Sequence, residues 1–240
     1  MFRLEYDNDA ARLTLDRPEA RNAIPAAGWA ELEAAIGQVA ASGARLLVVT
    51  GADRTFCAGA DLADFPAMQG DDAAAARFRR EMRAALDALR DLAIPTIARI
   101  EGYCYGAGVA LAMACDLRLA HPRAQFAITP AKIGISYPQE DVHRLVELVR
   151  PGQAARILFS ATPLRAEEAE AIGLVDADLA HETALIAAIL VNDPASLRML
   201  KQAIRRAATG VRSDPEMDAG FDALIAGDEL ARRLEALRRK

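Results

Sequence analysis

Cysteine, histidine and aromatic residues are scarce in this 240-residue chain. The three cysteines, Cys57, Cys104 and Cys115, have neither the even count nor the spacing of a disulfide framework. Each sits in an apolar stretch and reads as a small buried hydrophobe. The histidines, at 121, 143 and 181, are scattered, and no cysteine pair has zinc-site spacing, so no metal centre is expected. Long apolar runs are also missing. The longest, Ala107 to Cys115, has nine residues and cannot span a bilayer. The N-terminus lacks the apolar core of a signal peptide, which makes a reducing cytoplasm the expected compartment and a membrane partner unexpected. An excess of positive charge is absent too. The formal net charge is −5, which gives no electrostatic reason to expect nucleic acid as a partner.

What is present is 52% hydrophobic residues, ample for a sizeable core. Arg12-Leu13-Thr14-Leu15 alternates as a short strand does, and residues 16–23 read as a loop. Pro25 to Ser42 has helical spacing through Trp29, Leu32, Ile36 and Val39. Leu46 to Thr50 is a continuous aliphatic run, suited to a strand covered on both faces. The pattern then repeats. Asp72 to Leu92 reads as a helix, Pro95 to Ile100 as a strand, Gly102 to Ala114 as a tight turn into a buried helix, and Leu117 to Ala120 as a strand. Helices are predicted over Pro138–Leu148, Gly152–Ser160 and Ala166–Ile172, the last stopped by Gly173. No strand signal follows residue 183; Pro194–Thr209 and Asp214–Lys240 read as amphipathic helices. Strands alternating with helices make an α/β fold.

Two small-residue turns carry the chemical interest: Phe56-Cys57-Ala58-Gly59-Ala60-Asp61-Leu62 and Gly102-Tyr103-Cys104-Tyr105-Gly106-Ala107-Gly108. Each follows a strand and leads towards a helix. Small residues let a ligand approach the backbone, and amides at a helix N-terminus point outward and favour negative charge. Two such turns side by side can offer two N–H donors to one carbonyl oxygen, an oxyanion hole. The alternative is that the glycines only permit tight turns and close packing. A dinucleotide fingerprint fails, because its third glycine falls at Leu111, and no Gly-Lys-Ser/Thr follows as a phosphate loop requires.

Leu15-Asp16-Arg17-Pro18, Asn22-Ala23, the two turns, Cys115-Asp116, Phe126, Gly134, Arg144-Leu145 and Ala169-x-x-x-Gly173-Leu174-Val175 occur in the order and spacing of one family. Over about residues 10–205 the chain resembles the crotonase superfamily of enoyl-CoA hydratases and isomerases. The resemblance implies a spiral of ββα units over residues 1–183 and a C-terminal helical oligomerisation region over 184–240. It also implies an acyl-CoA ligand, no cofactor beyond coenzyme A as part of the substrate, and a homotrimer or hexamer. Carried over, the oxyanion donors are the amides of Ala60 and Ala107. Arg21, Ala23, Asp61 and Leu62 would flank the CoA moiety.

The pattern breaks at the acid–base groups. Hydratases of the family use two glutamates, one accepting a proton while the other donates. This chain has Ala110 at the first position and Pro130 at the second, or Ala131 if the register shifts by one. Glu140 and Asp141, in the next segment, are candidate bases; as first-turn acids they equally suit a helix dipole. His143 reads more simply as a surface histidine. Thr129-Pro130, Gly134 and Tyr137 resemble the family's methylmalonyl-CoA decarboxylase, whose corresponding tyrosine lies beside the substrate carboxylate. Phe78, Met82, Tyr103 and Tyr105 are candidates for an acyl pocket, although packing explains the first two equally well. Four functions therefore stay open: an acyl-CoA hydratase or isomerase with relocated groups, an acyl-CoA decarboxylase, a non-catalytic acyl-CoA binding or sensing protein, and a purely structural subunit of a mixed oligomer.

Overall fold

The computed structural model describes residues 1–238. Its strands are β1 (Phe2–Asp7), β2 (Ala10–Leu15), β3 (Leu46–Gly51), β4 (Thr96–Ile100), β5 (Tyr103–Tyr105), β6 (Leu117–Ala120), β7 (Gln125–Ala127), β8 (Leu164–Arg165) and β9 (Ala177–Asp178). They form two sheets, a larger one in the order β1-β2-β3-β4-β6-β9 and a smaller one in the order β5-β7-β8. Only the β1–β2 hairpin is antiparallel in the large sheet. Its turn passes through Asn8, whose left-handed φ of +52° suits asparagine.

The chain steps from the large sheet to the small layer and back through a helix. β4 leads to β5, then to α3 (Ala107–Ala114), then to β6 and on to β7. The earlier turn of the spiral does the same with single bridges in place of a strand. β3 leads to a parallel bridge between Cys57 and Cys104, and Ile24 bridges Ala60. This is the ββα spiral that the family resemblance implies.

The apolar run at β3 is covered on both faces, because its side chains alternate between two cores. Leu47 and Val49 join Leu13, Leu15, Trp29, Phe56 and Leu86 under α1 (Gly28–Ala41) and α2 (Asp72–Asp91). Leu46 and Val48 join Ile97 and Leu119 beneath Leu185, Ile186 and Ile189 of α6 (Glu182–Leu190). α2 begins where Asp71 accepts the Ala74 amide, an N-cap that satisfies one free donor of the first turn.

The two helices expected at 138–160 occur end to end as α4 (Gln139–Ser160). They are divided at Arg150, where φ is +68° and Pro151 removes the next amide. α5 (Ala166–Ala171) stops just before Gly173, whose φ of +87° takes the chain out of the helix. α7 (Pro194–Ala208) is pinned to the spiral by buried Lys201, whose Nζ lies 2.8 Å from both the Ile94 carbonyl and Asp116 Oδ2. The helix expected at Asp214–Lys240 is two helices, α8 (Pro215–Ala226) and α9 (Asp228–Arg238), separated by extended Gly227. Glycine is a poor helix former and supplies the break. Residues 239 and 240 of that expectation lie outside the described residues. No single helix among the described residues is long and apolar enough to cross a membrane.

Candidate active site

The two glycine-bearing turns lie side by side because their backbones pair. Phe56 N–H donates to the Glu101 carbonyl, Cys57 N–H to the Tyr103 carbonyl, and Tyr105 N–H to the Cys57 carbonyl, at 2.8–2.9 Å. Glycine is required where the turns touch. A Cβ on Gly108 would lie 2.5 Å from the Cys57 carbonyl oxygen. One on Gly59, at φ +104°, would lie 2.8 Å from the Tyr105 carbonyl oxygen and 3.2 Å from the Ala107 nitrogen. Gly106 adopts φ +51°, ψ −120°, open only to glycine, as it turns the chain into α3.

This pairing brings the amides of Ala60 and Ala107 to one surface. Neither donates to a protein group among the described residues. Ala107 opens α3, so its amide is one of the free donors at a helix N-terminus. Both alanines line a cavity of about 550 Å³. The lining is completed by Phe78, Arg79 and Met82 of α2 and by side chains between Thr129 and Pro138.

The loop before α1 is fixed by Asn22, which is fully buried. Its Nδ2 donates to the Ala52 and Thr55 carbonyls, and its Oδ1 accepts from the Arg17 amide. Asn22 was visible in the sequence as part of the Asn-Ala pair, but nothing there assigned it this anchoring task. Asp61 accepts from the Ala63 amide and pairs with Arg17 at 2.6 Å. Those contacts, the Ala63 amide first, hold its carboxyl below the usual range. Ala23 is buried and Leu62 exposed on the cavity wall. Arg21 lies 5.6 Å over the ring of Tyr103, a cation–π contact.

The candidate acid–base groups are distributed differently. Tyr137 lines the cavity, and its hydroxyl donates to the Gly106 carbonyl at 3.0 Å. Burial pushes its phenol well above the ordinary value, and the charge of Asp141 adds to that. Asp141 is 3% exposed and does not line the cavity. Its Oδ1 accepts from Arg83 at 2.8 Å, while Oδ2 has no hydrogen-bond partner among the described residues. Burial raises its pKa, and Arg83 opposes that. Glu140 is exposed and also lies outside the cavity wall. His143 is exposed and pairs with Glu147. Pro130 is in the cavity wall; Ala110 is buried in α3 and does not line the cavity. Phe78 and Met82 line the cavity, and Tyr103 and Tyr105 do not.

The side chains that carry formal charge in the wall are Arg79 and Lys132, and neither has an ion-pair partner among the described residues. Arg79 was inconspicuous in sequence, one of four arginines between residues 77 and 83. The three cysteines are buried; burial pushes the thiols of Cys57 and Cys115 up to about 12, so they stay protonated. No group of three or more His, Cys, Asp or Glu side chains among the described residues is placed to hold a metal ion.

The family model for enoyl-CoA hydratase/isomerase matches residues 5–220. The chain belongs to the enoyl-CoA hydratase/isomerase family. Among this family's curated members, the short-chain-enoyl-CoA hydratase of Clostridium acetobutylicum is 31% identical over 233 residues, covering 94% of this chain and 87% of that protein. The crotonyl-CoA hydratase of Syntrophomonas wolfei is 36% identical over 176 residues, covering 72% and 66%. Among solved structures, an enoyl-CoA hydratase/isomerase family protein from Hyphomonas neptunium superposes with a TM-score of 0.93. It is 33% identical, with 99% of this chain and 94% of that one covered. Family membership therefore extends over the spiral and into the C-terminal helices, and the fold of the whole described chain has a close solved counterpart.

Proposed function

We propose that this family member is an acyl-CoA-processing enzyme whose substrate thioester carbonyl accepts hydrogen bonds from the amides of Ala60 and Ala107. The observation that carries the reading is the pair of free amides on one cavity wall, locked together through Gly59 and Gly108. Negative charge that develops on the thioester oxygen, in hydration, isomerisation or related enolate chemistry, is stabilised there without reorganisation. Arg21, Ala23, Asp61 and Leu62 flank the CoA moiety, with Asp61 held rigid by Arg17. Coenzyme A enters only as part of the substrate. Residues 184–240 serve as an oligomerisation region, and the exposed Leu200, Ile204, Phe221 and Ile225 support a homotrimer or hexamer working in the cytoplasm. A turnover screen with crotonyl-, 3-enoyl- and malonyl-type CoA esters tests the enzyme reading. Tight CoA binding with no turnover of any of them removes it and leaves a binding protein.

A second reading has its own support. The cavity wall carries Arg79 and Lys132 and no carboxylate among the described residues. Two unpaired cations suit an acyl group that ends in a carboxylate. Decarboxylation also needs no protein base to start. The bond from the α-carbon to the carboxylate breaks, carbon dioxide leaves, and the electron pair forms the thioester enolate against the two amides. A proton from solvent then completes the shorter acyl-CoA. Release of carbon dioxide from methylmalonyl-CoA, without hydration of crotonyl-CoA, selects this reading.

A further inference from the structure

The carbonyl of Gly106 and the amide of Ala107 are the two ends of one peptide group. Whatever holds the carbonyl therefore also aims the amide. Three donors converge on the Gly106 carbonyl oxygen: the Val109 amide at 2.9 Å, the Ala110 amide at 3.4 Å and the Tyr137 hydroxyl at 3.0 Å. The two amides belong to α3 itself and follow from helix geometry. The tyrosine comes from a segment 31 residues away and, among the described residues, is the one side chain that hydrogen-bonds this peptide.

We propose that Tyr137 is a positioning residue for the oxyanion site, its hydroxyl orienting and polarising the Gly106–Ala107 peptide so that the Ala107 amide meets the thioester oxygen. This inference rests on the acyl-CoA reading above and adds a role to a side chain considered so far only for direct contact with substrate. Two features fit it. Burial beside Asp141 keeps the phenol protonated, so the donor is present throughout the neutral range. Hydrogen bonds in a chain also polarise one another, and a carbonyl that accepts more strongly makes its own amide a better donor.

The test is Tyr137→Phe, which removes the hydroxyl and keeps the ring. The probe is crotonyl-CoA labelled with 13C at the thioester carbonyl, followed by isotope-edited infrared spectroscopy. Polarisation by the two amides lowers the carbonyl stretch on binding to the wild-type protein. In Tyr137→Phe about half of that lowering is expected to disappear while the dissociation constant for CoA alone stays within about twofold, because loss of support to one donor is milder than loss of the donor. The Ala107 amide 15N resonance of the unliganded protein is expected to move on the same substitution. This second signal needs no ligand, and an unchanged CoA affinity shows that the fold has survived. An infrared shift as large in Tyr137→Phe as in wild type overturns the positioning role alone. No shift in wild type overturns the oxyanion reading, and the positioning role with it. For any acyl-CoA that turns over, kcat is expected to fall about tenfold with KM little changed, the split of an interaction stronger in the transition state than in the ground state.

Discussion

The two walls of the cavity are built from different material. One is backbone: Gly59, Ala60, Gly106 and Ala107, held by strand-like hydrogen bonds between two turns. The other is side chain: Phe78, Arg79, Met82, Lys132 and Tyr137, carried by α2 and the segment leading into α4. The backbone wall depends on glycine geometry at a few positions and is indifferent to most other side chains. The side-chain wall changes with every substitution. The two walls meet at Tyr137, whose hydroxyl bonds to the Gly106 carbonyl.

The carboxylates near each wall show the same contrast. Asp61, beside the backbone wall, is fixed by an amide and an arginine, and its pKa is lowered. Asp141, behind the side-chain wall, is buried with one oxygen unpartnered, and its pKa is raised.

The largest effect is expected from Gly59→Ala. The added methyl meets backbone atoms of the neighbouring turn in a left-handed conformation, so stability should fall by about 3 kcal/mol, read from denaturant midpoints. Turnover of any accepted acyl-CoA should fall at least about a hundredfold, since both donors shift. A Gly59→Ala protein with wild-type stability and turnover breaks the claim that the backbone wall is rigid. Arg83→Met comes next. It leaves Asp141 buried without its cation, and thermal unfolding near neutral pH should show a loss of about 3 kcal/mol. That loss should shrink on acidification as Asp141 takes up a proton.

Asp141→Asn sharpens the comparison through pH. A carboxyl whose folded pKa is raised binds more protons in the native state above its ordinary 3.8. Stability then declines as pH rises through that window, and the asparagine variant should lose this decline. Asp61 has the opposite sign. Its contribution is present above 3.8 and is lost as pH falls through its lowered folded value, so Asp61→Asn should remove some acid sensitivity at lower pH. Urea unfolding of each variant at a series of pH values separates the two. The smallest change in stability, within about 0.5 kcal/mol, is expected from Arg79→Ala and Lys132→Ala, because both side chains are exposed. Calorimetric titration should nonetheless show weaker binding of methylmalonyl-CoA relative to crotonyl-CoA. An equal loss for both esters assigns these cations to the shared CoA phosphates instead.

Much of the backbone wall was legible in the sequence, and little of the side-chain wall was. Small residues after a strand and before a helix point to turns that a ligand can approach, and Gly59 and Gly106–Gly108 lie where the spacing put them. The run at β3 and the helix α2 were equally plain, since apolar periodicity reports burial directly. The small sheet was not visible. β5 and β7 have three residues each and β8 has two, too few to show alternation. β1 passed unnoticed as an edge strand with a mostly exposed face. The ion pairs around the cavity were hidden by distance along the chain. Arg17 and Asp61 are 44 residues apart, and Arg83 and Asp141 are 58 apart. Glu140 and Asp141 looked alike as neighbours, but one helical step turns the second inward and leaves the first in solvent.

The placement of the two proposed donors on the main chain has a practical consequence. Ala60 and Ala107 are already alanine, so alanine scanning has nothing to remove at either position and would register silence. A mutational map of this protein would instead highlight Gly59, Gly106 and Gly108, and a reader of that map would infer a folding defect. Replacing a single backbone N–H by an ester oxygen, at Ala60 or at Ala107, is the substitution that addresses the donors themselves.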